Sequence, residues 1–217
     1  MAIQIQGNNG TVQEVGGTTF RGGHVHLKPL EYGALGHYRW SGRVLSTAAQ
    51  AANARLFELR NSHATNLIVL TRLVLRGVQV AAGTAQENSI DCFRVTSFTA
   101  VDTTNTLTPT VSPRRASMAA APGGAVVRVL NPAAAGMTGG TLTKDGSAFA
   151  TLPFNVATAI NTSTIWGPLD CLDDVNGTHP FVFVQNEGFE IENRMLNVTS
   201  YGIAWFIDVS WAEVTAF

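Results

Sequence analysis

Residues 201–211 read YGIAWFIDVSW, and no other stretch of the chain indicates its fold class as clearly. Large apolar side chains recur at every second position, the period that places them on one face of a β-strand. That face comprises Tyr201, Ile203, Trp205, Ile207, Val209 and Trp211. Small and polar residues take most of the other face. The pattern predicts a strand with one side in a hydrophobic core.

Several further stretches have strand character and are separated by turn residues. They are HYRWSGRVL at 37–45, RLFELRN at 55–61, NLIVLTRLVLRGVQV at 66–80, IDCFRVTSFTAV at 90–101, AVVRVL at 125–130, FVFVQ at 181–185 and FEIEN at 189–193. About eight to ten short strands with almost no helical period indicate an all-β fold. We predict an antiparallel β-sandwich, with the jelly roll as the favoured arrangement.

The stretch at 66–80 is the longest of these strands. Strict alternation predicts one face formed by Leu67, Val69, Thr71, Leu73 and Leu75. The opposite face would then carry Ile68, Leu70, Arg72, Val74 and Arg76. Such a strand is apolar on both sides at its start and amphipathic further along.

Residues 1–36 differ from the rest of the chain because they are rich in Gly and Gln and hold apolar residues only in short islands. This composition predicts an extended N-terminal arm, followed by a sandwich domain at 37–217. An arm of this kind buries too little apolar surface to offset its ordering entropy alone. We therefore expect it to clamp onto the body of its own or another subunit.

Charge is sparse, since charged residues make up 13% of the chain, against roughly 25% in an average soluble domain. The formal net charge is −1, and Lys28 and Lys144 are the only lysines. A balanced, weakly charged chain lacks the basic footprint of a nucleic-acid-binding protein. Its surface is instead suited to being covered by neighbouring proteins, because low charge favours association.

No membrane or secretory segment is expected. The N-terminus MAIQIQGNNG lacks an apolar signal region, and polar residues interrupt the longest apolar stretch, 67–80. Cys92 and Cys171 are predicted to be reduced thiols, because two cysteines without an export signal seldom form a disulfide.

Catalytic motifs of hydrolases, nucleotide-binding proteins and metalloproteases are absent from the sequence, so we predict a protein that is not an enzyme and has no cofactor. Glu190 and Glu192 could form a carboxylate pair of the kind glycosidases use, because residues two apart on a strand share a face. A solvent-facing edge that resists wrong strand pairing is the favoured interpretation.

Two groups of residues could contribute ligands to a metal ion. His24 and His26 would share one face of an extended segment, but no third ligand accompanies them. The loop residues Asp170, Asp173, Asp174 and Asn176 do not have the spacing of a calcium loop. We therefore predict no metal site.

Several segments together resemble virion structural proteins of tailed bacteriophages and their prophages. They are TRLVLRGVQVAAGTAQENSIDCFRVTSFTAVDTTNTLTPT, SPRRASMAA, VVRVLNPAAAG, HPFVFVQNEGFEIEN and the ending WFIDVSWAEV. The similarity covers residues 37 to 214 and, more loosely, the arm. It implies a role in the virion, as a jelly-roll head decoration or minor capsid protein, and it brings no catalytic residues.

We accordingly predict a capsid decoration (cement) or minor capsid subunit of a phage head, made in the host cytoplasm and located on the capsid surface. Its partners would be the major capsid protein and copies of itself in a homotrimer, with no nucleic acid and no membrane. Candidate interface residues are Phe20, Val25, Leu27, Leu30, Arg114, Arg115, Trp211 and Phe217.

The sequence leaves two alternatives open. The first is a tail or fibre component with receptor- or carbohydrate-binding loops, in which the Ala-, Gly- and Thr-rich residues 131–149 would form a variable tip. The second is a carbohydrate-binding or hydrolytic sandwich. In that case Trp40 and Tyr38, two positions apart on one strand face, would form an exposed platform for sugar stacking.

Overall fold

The computed structural model describes residues 35–114, 119, 121–159, 165–172, 180–196 and 202–215, together with the backbone of residues 3–6 and 12–15. The chain divides into two compact units, Met1–Leu30 and Glu31–Phe217. The first unit contains an antiparallel hairpin of β1 (Ile3–Gln6) and β2 (Val12–Val15). Part of the predicted arm is therefore a paired hairpin. The arm's candidate interface residues, Phe20, Val25, Leu27 and Leu30, lie outside the described residues.

The second unit is built from strands, and its described residues include no helix. The strands are β3 (Gly36–Ser46), β4 (Ala54–Asn61), β5 (Leu67–Gln79), β6 (Gln86–Ala100), β7 (Thr106–Leu107), β8 (Ser112–Pro113), β9 (Ala125–Leu130), β10 (Thr141–Lys144), β11 (Ala150–Val156), β12 (Ile165–Asp170), β13 (Val182–Phe183), β14 (Gly188–Asn193) and β15 (Ile203–Val214). The predicted all-β fold is confirmed. Strand β3 begins one residue before the predicted start of the domain.

These strands form two antiparallel sheets that pack face to face. The β15 sheet has the order β12, β5, β15, β3, β8, and β13 also pairs with β5. The β14 sheet has the order β10, β6, β14, β4, β9, β7, and β11 also pairs with β6. The predicted antiparallel sandwich is therefore present.

The strand order is that of a jelly roll. Eight strands form the frame, namely β3, β4, β5, β6, β11, β12, β14 and β15. Counted from one to eight along the chain, they lie in the order six, three, eight, one in the β15 sheet and five, four, seven, two in the β14 sheet. This interleaving results when two Greek keys are rolled together. Residues 101–149, between β6 and β11, add strands β7 to β10 to the frame.

Aromatic side chains from both sheets fill the core. Tyr38 and Trp211 stack with ring centroids 6.0 Å apart within the β15 sheet. Across the sandwich, the ring of Phe57 on β4 lies 5.5 Å from that of Trp40 on β3, and within the β14 sheet it lies 5.4 Å from that of Phe189. Burial of each such side chain contributes roughly 1.5–3 kcal/mol, so this stack holds the two sheets together.

The predicted alternation holds in β15 but fails in β5. In β15 the core side chains are Ile203, Trp205, Ile207, Val209 and Trp211. In β5, Leu70 and Arg72 pair with the successive residues Trp211 and Ser210, which makes Thr71 the extra residue of a β-bulge. The bulge exchanges the two faces. The core therefore receives Ile68, Leu70, Leu73 and Leu75, and the prediction of one continuous alternation is wrong.

Candidate interaction surface

The outer face of the β15 sheet carries a cross-strand row of Arg43, Phe206 and Arg76. Phe206 on β15 lies directly opposite Arg43 on β3 and directly opposite Arg76 on β5. Directly opposed residues of antiparallel strands point to the same face, so the two arginines stand on either side of the phenyl ring. Phe206 is 42% exposed, and both arginines are exposed.

A second row of arginines lies four residues further along the same strands. Ser210 pairs with Arg39 on β3 and with Arg72 on β5, and both arginines are exposed. The Nε of Arg72 donates a hydrogen bond to Oδ2 of Asp208 over 3.0 Å. This ion pair lies at the surface, where such pairs contribute at most about 1 kcal/mol to stability. Its main effect is to orient Arg72 on the face.

Arg114 extends the positive surface beyond the edge of β3. Its Nη2 donates to Oγ of Ser210 over 3.1 Å, and its backbone N–H donates to the carbonyl of His37 over 2.7 Å. Burial and the nearby Arg114 charge lower the pKa of His37, so this imidazole is neutral at pH 7. We call the surface formed by Arg39, Arg43, Arg72, Arg76, Arg114 and Phe206 the arginine face.

The arginine face is positive although the whole chain has a formal net charge of −1. The carboxylates that the register places on this side of the described sheet are Asp208 and, on the edge strand β12, Asp170 opposite Val74. Five arginines against two carboxylates leave an excess of three positive charges. Positive charge is therefore concentrated on this face, and it favours a negatively charged partner.

A shallow groove of about 480 Å³ runs along this face. Val74, Val78, Ile165 and Phe206 contribute its apolar lining, while Arg43 and Arg76 are its basic members. Ile165 is 63% exposed. An apolar floor beside charged groups is the usual anatomy of a protein interface, in which aromatic and arginine side chains make the strongest contacts.

Of the four candidate interface residues in the sandwich domain, two lie in the part of the chain that the structure describes. Arg114 lies on the arginine face. Trp211 does not reach the surface, because it is fully buried against Tyr38, and its prediction as an interface residue is wrong. Arg115 and Phe217 lie outside the described residues.

Four arginines and Phe206 were missed by sequence reasoning, although the sequence holds a signal for them. Arg39 and Arg43, like Arg72 and Arg76, are four residues apart, a spacing that keeps both members on one side of a strand. Phe206 is the single aromatic residue on the otherwise small and polar face of residues 201–211. A large apolar residue out of phase with the core pattern is predicted to lie on the outer face of the strand.

The structure does not place the sugar-stacking residues or residues 131–149 as the two alternative functions require. Tyr38 is fully buried and Trp40 is 9% exposed, so they do not form a platform for sugar stacking. Residues 131–149 do not form a free tip. Their β10 pairs with β6, and backbone hydrogen bonds join Pro132 to Thr47 and Met137 to Arg55.

Glu190 and Glu192 are buried, so the prediction of a solvent-facing edge is wrong. Their strand β14 lies in the middle of its sheet, between β4 and β6. Lys144 on β10 reaches over both of them, with its Nζ 3.0 Å from Oε1 of Glu190 and 2.5 Å from Oε2 of Glu192. The ammonium also lies 4.2 Å from the ring centroid of Phe93. One lysine thus holds both carboxylates.

Glu58 and Asp102 form a second buried carboxylate pair beside the first. Glu58 lies opposite Glu190 in the register of β4 and β14. Its Oε1 accepts a hydrogen bond from the backbone N–H of Asp102 over 2.7 Å. Arg55 donates to Oδ1 of Asp102 over 2.8 Å, and the backbone N–H of Gly140 donates to the same atom over 2.7 Å. These contacts fasten Asp102 and the backbone of Gly140 to β4 of the β14 sheet.

The buried carboxyls have shifted pKa values. Burial, with the neighbouring Asp102 charge, raises the pKa of Glu58 to about 7, although Arg55 opposes the shift. Burial also raises the pKa of Glu190 against the effect of Lys144. Burial alone would lower the pKa of Lys144, but its contacts with Glu192 and Glu190 raise it. The protonation of Glu58 is therefore expected to affect the stability of the fold.

Substitution of Glu58 by glutamine is expected to flatten the pH dependence of stability. The folded pKa of about 7 lies above the ordinary 4.5, so the folded state binds this proton more tightly than the unfolded state. The free energy of unfolding therefore falls as pH rises from about 4.5 to about 7, by about 3 kcal/mol. Urea unfolding between pH 4 and pH 8 measures the loss. We expect Glu58→Gln to remove most of this pH dependence, whereas the control Glu87→Gln, at an exposed position, leaves it unchanged. If Glu58→Gln and the parent chain lose the same stability between pH 4 and pH 8, the raised pKa of Glu58 is contradicted.

The described residues contain neither a metal-binding cluster nor a helical membrane span. Among the described residues, no group of three or more His, Cys, Asp or Glu side chains is arranged to hold a metal ion. The candidate ligands His24 and His26, and the loop residues 173–176, lie outside that part of the chain. The described residues also include no helix with the length and apolarity needed to cross a membrane.

Comparisons of the chain with protein-family models, with curated proteins and with solved structures find no match. The jelly-roll fold, the arginine face and the resemblance described above are therefore the observations that bear on function.

Proposed function

We propose that this chain is a non-enzymatic structural protein of a virus particle, a jelly-roll subunit that decorates the head of a tailed phage. The observation that carries the proposal is the row Arg43, Phe206 and Arg76, which lies exposed on a regular sheet face. The resemblance of the sequence to phage virion proteins supplies the setting. In this role the arginine face binds an acidic surface of the major capsid protein.

The chemistry of the face fits such a partner. A guanidinium group is planar and donates two parallel hydrogen bonds to a carboxylate, which gives geometric specificity as well as attraction. Phe206 lies between Arg43 and Arg76 in the strand register, so an apolar side chain of the partner could pack on the ring while its carboxylates pair with the two arginines. Exposed aromatic and arginine side chains are the residue types that contribute most at protein interfaces.

The support beneath the face is rigid. Arg43, Phe206 and Arg76 lie on three adjacent strands whose inner sides are anchored in the core, so their backbone positions are fixed before binding. A preformed surface loses less conformational entropy on association than a flexible loop. Many copies on one shell would multiply a modest individual affinity into strong attachment.

Neutralisation of the row is expected to weaken binding to capsids. The double variant Arg43→Gln/Arg76→Gln removes two charge-assisted contacts, and we expect a loss of affinity of about 30-fold or more. Co-sedimentation with undecorated capsids and with tail fractions of the phage that encodes the chain measures this effect. Phe206→Ala is expected to weaken binding by a similar factor without changing the charge.

The matched control is Thr141→Glu/Thr151→Glu, which lowers the net charge by the same two units at exposed positions of the β14 sheet. It should bind capsids as the parent chain does. Equal weakening by both double variants would assign the effect to net charge and contradict a specific face. Binding to tail fractions or host cells, with none to capsids, would overturn the decoration role in favour of a tail component.

A further inference from the structure

Cys92 and Cys171 lie side by side although 79 positions separate them in the sequence. Their Sγ atoms are 3.9 Å apart, and both are free thiols. Cys92 is on β6 of the β14 sheet, and Cys171 directly follows β12 of the β15 sheet. The pair therefore bridges the two layers of the sandwich at a point where no covalent link joins them.

We propose that Cys92 and Cys171 form a redox site at which an external disulfide oxidant closes a covalent bond between the two sheets. A disulfide bond measures about 2.05 Å, so the sulfur atoms need to approach by roughly 2 Å. Rotation of either side chain about its Cα–Cβ bond supplies a movement of this size. This site is independent of the arginine face and of any binding partner.

The surroundings of the two sulfurs give them different parts in the reaction. Cys171 is partly exposed, and its backbone N–H donates to the carbonyl of Leu73 over 2.8 Å, which holds it in place. Cys92 is fully buried in the core. The hydrogen bond with Cys171, together with burial, raises the pKa of Cys92 well above its ordinary value. Cys171 therefore meets the oxidant first, and Cys92 acts second.

Oxidised glutathione illustrates the balanced chemistry. The Cys171 thiolate attacks one sulfur of the glutathione disulfide, forming a mixed disulfide and releasing one glutathione thiolate. The Cys92 thiolate then attacks Sγ of Cys171 and releases the second glutathione. Two protein thiols are oxidised, one glutathione disulfide is reduced to two thiols, and the protons pass to these products and to solvent.

The test uses the full chain, purified in reductant and then incubated under native conditions with oxidised glutathione. Remaining thiols are alkylated with N-ethylmaleimide and the protein is analysed by mass spectrometry. We expect a loss of two hydrogens with no alkylation, and a peptide that links Cys92 to Cys171. The disulfide closes the loop of chain between the two cysteines, so its formation should raise the Tm by about 10 °C, and reduction with dithiothreitol should reverse this rise.

The single variants Cys171→Ser and Cys92→Ala serve as controls. Neither should show the Tm rise, and Cys92→Ala should stop at the mixed disulfide on Cys171. The proposal is overturned if the parent chain keeps a stable mixed disulfide, links two chains through Cys171, or leaves both thiols open to alkylation. An internal disulfide that forms without raising the Tm would also contradict a lock between the sheets.

Discussion

Substitution of Gly188 by alanine is expected to lower the free energy of unfolding by about 3 kcal/mol or more. Gly188 begins β14 and pairs with Arg60 on one side and with Val95 on the other. A Cβ atom added there would lie 1.8 Å from the carbonyl oxygen of Leu59 and 2.9 Å from its carbonyl carbon. Because both atoms belong to the backbone, no side-chain rotation relieves the clash, and the central strand must shift.

Thermal and urea unfolding of the variant measure the effect, which corresponds to a fall in Tm of roughly 6–12 °C or more. Gly146→Ala is the matched control, since nothing lies within 4 Å of a Cβ added at that position. It should change stability by less than about 0.5 kcal/mol. Equal stabilities of the two variants would show that β14 does not lie against Leu59 as described.

Substitution of Glu213 by alanine is expected to destabilise the sandwich by about 3–5 kcal/mol. The Glu213 carboxylate is 1% exposed. It accepts hydrogen bonds from the backbone N–H groups of Gly123, Gly124 and Ala125 over 2.9, 3.1 and 3.1 Å. These contacts join the end of β15 to the start of β9, so one side chain connects the two sheets.

The comparison with Glu213→Gln separates charge from shape. Glutamine keeps one acceptor oxygen, but its NH₂ group faces backbone donors, so we expect a loss between those of the parent chain and Glu213→Ala. Glu87→Ala, at an exposed position of β6, controls for removal of a carboxylate. If Glu213→Ala unfolds at the same urea concentration as Glu87→Ala, the carboxylate does not anchor residues 123–125.

The frame of the fold could be predicted because its strands obey local rules. Residues 201–211 alternate so regularly that the inward positions of β15 follow from the sequence alone. The step from short strands and turns to a jelly roll was also sound, since a sandwich of this size has few antiparallel solutions. The predictions that were wrong concern local details that depend on which strands pair. The bulge at Thr71 is a feature of the pairing between β5 and β15, and the sequence of β5 alone does not predict it.

The candidate site was harder to predict, because it depends on which residues meet across strands. Arg43, Phe206 and Arg76 are far apart in the sequence and become neighbours only through the β3, β15 and β5 register. The burial of the carboxylates was mispredicted for the same reason, because it also depends on a residue that is distant in the sequence. Glu190 and Glu192 look solvent-facing in isolation, whereas in the fold Lys144, far from them in the sequence, pairs with both carboxylates.

Trp211 shows how one residue type supports two interpretations. A tryptophan near the end of a chain fits a core or an interface equally well, and its partner decides between them. Here Tyr38 stacks on it from β3, which closes the core at that position.

If the proposed role is correct, a phage encodes this chain, and electron cryo-microscopy of the particles of that phage tests the role most directly. We expect jelly-roll density on the outer surface of the head, with Arg43, Phe206 and Arg76 against an acidic surface of the major capsid protein. Density for the chain in the tail alone, or on the head with the arginine face open to solvent, would contradict it.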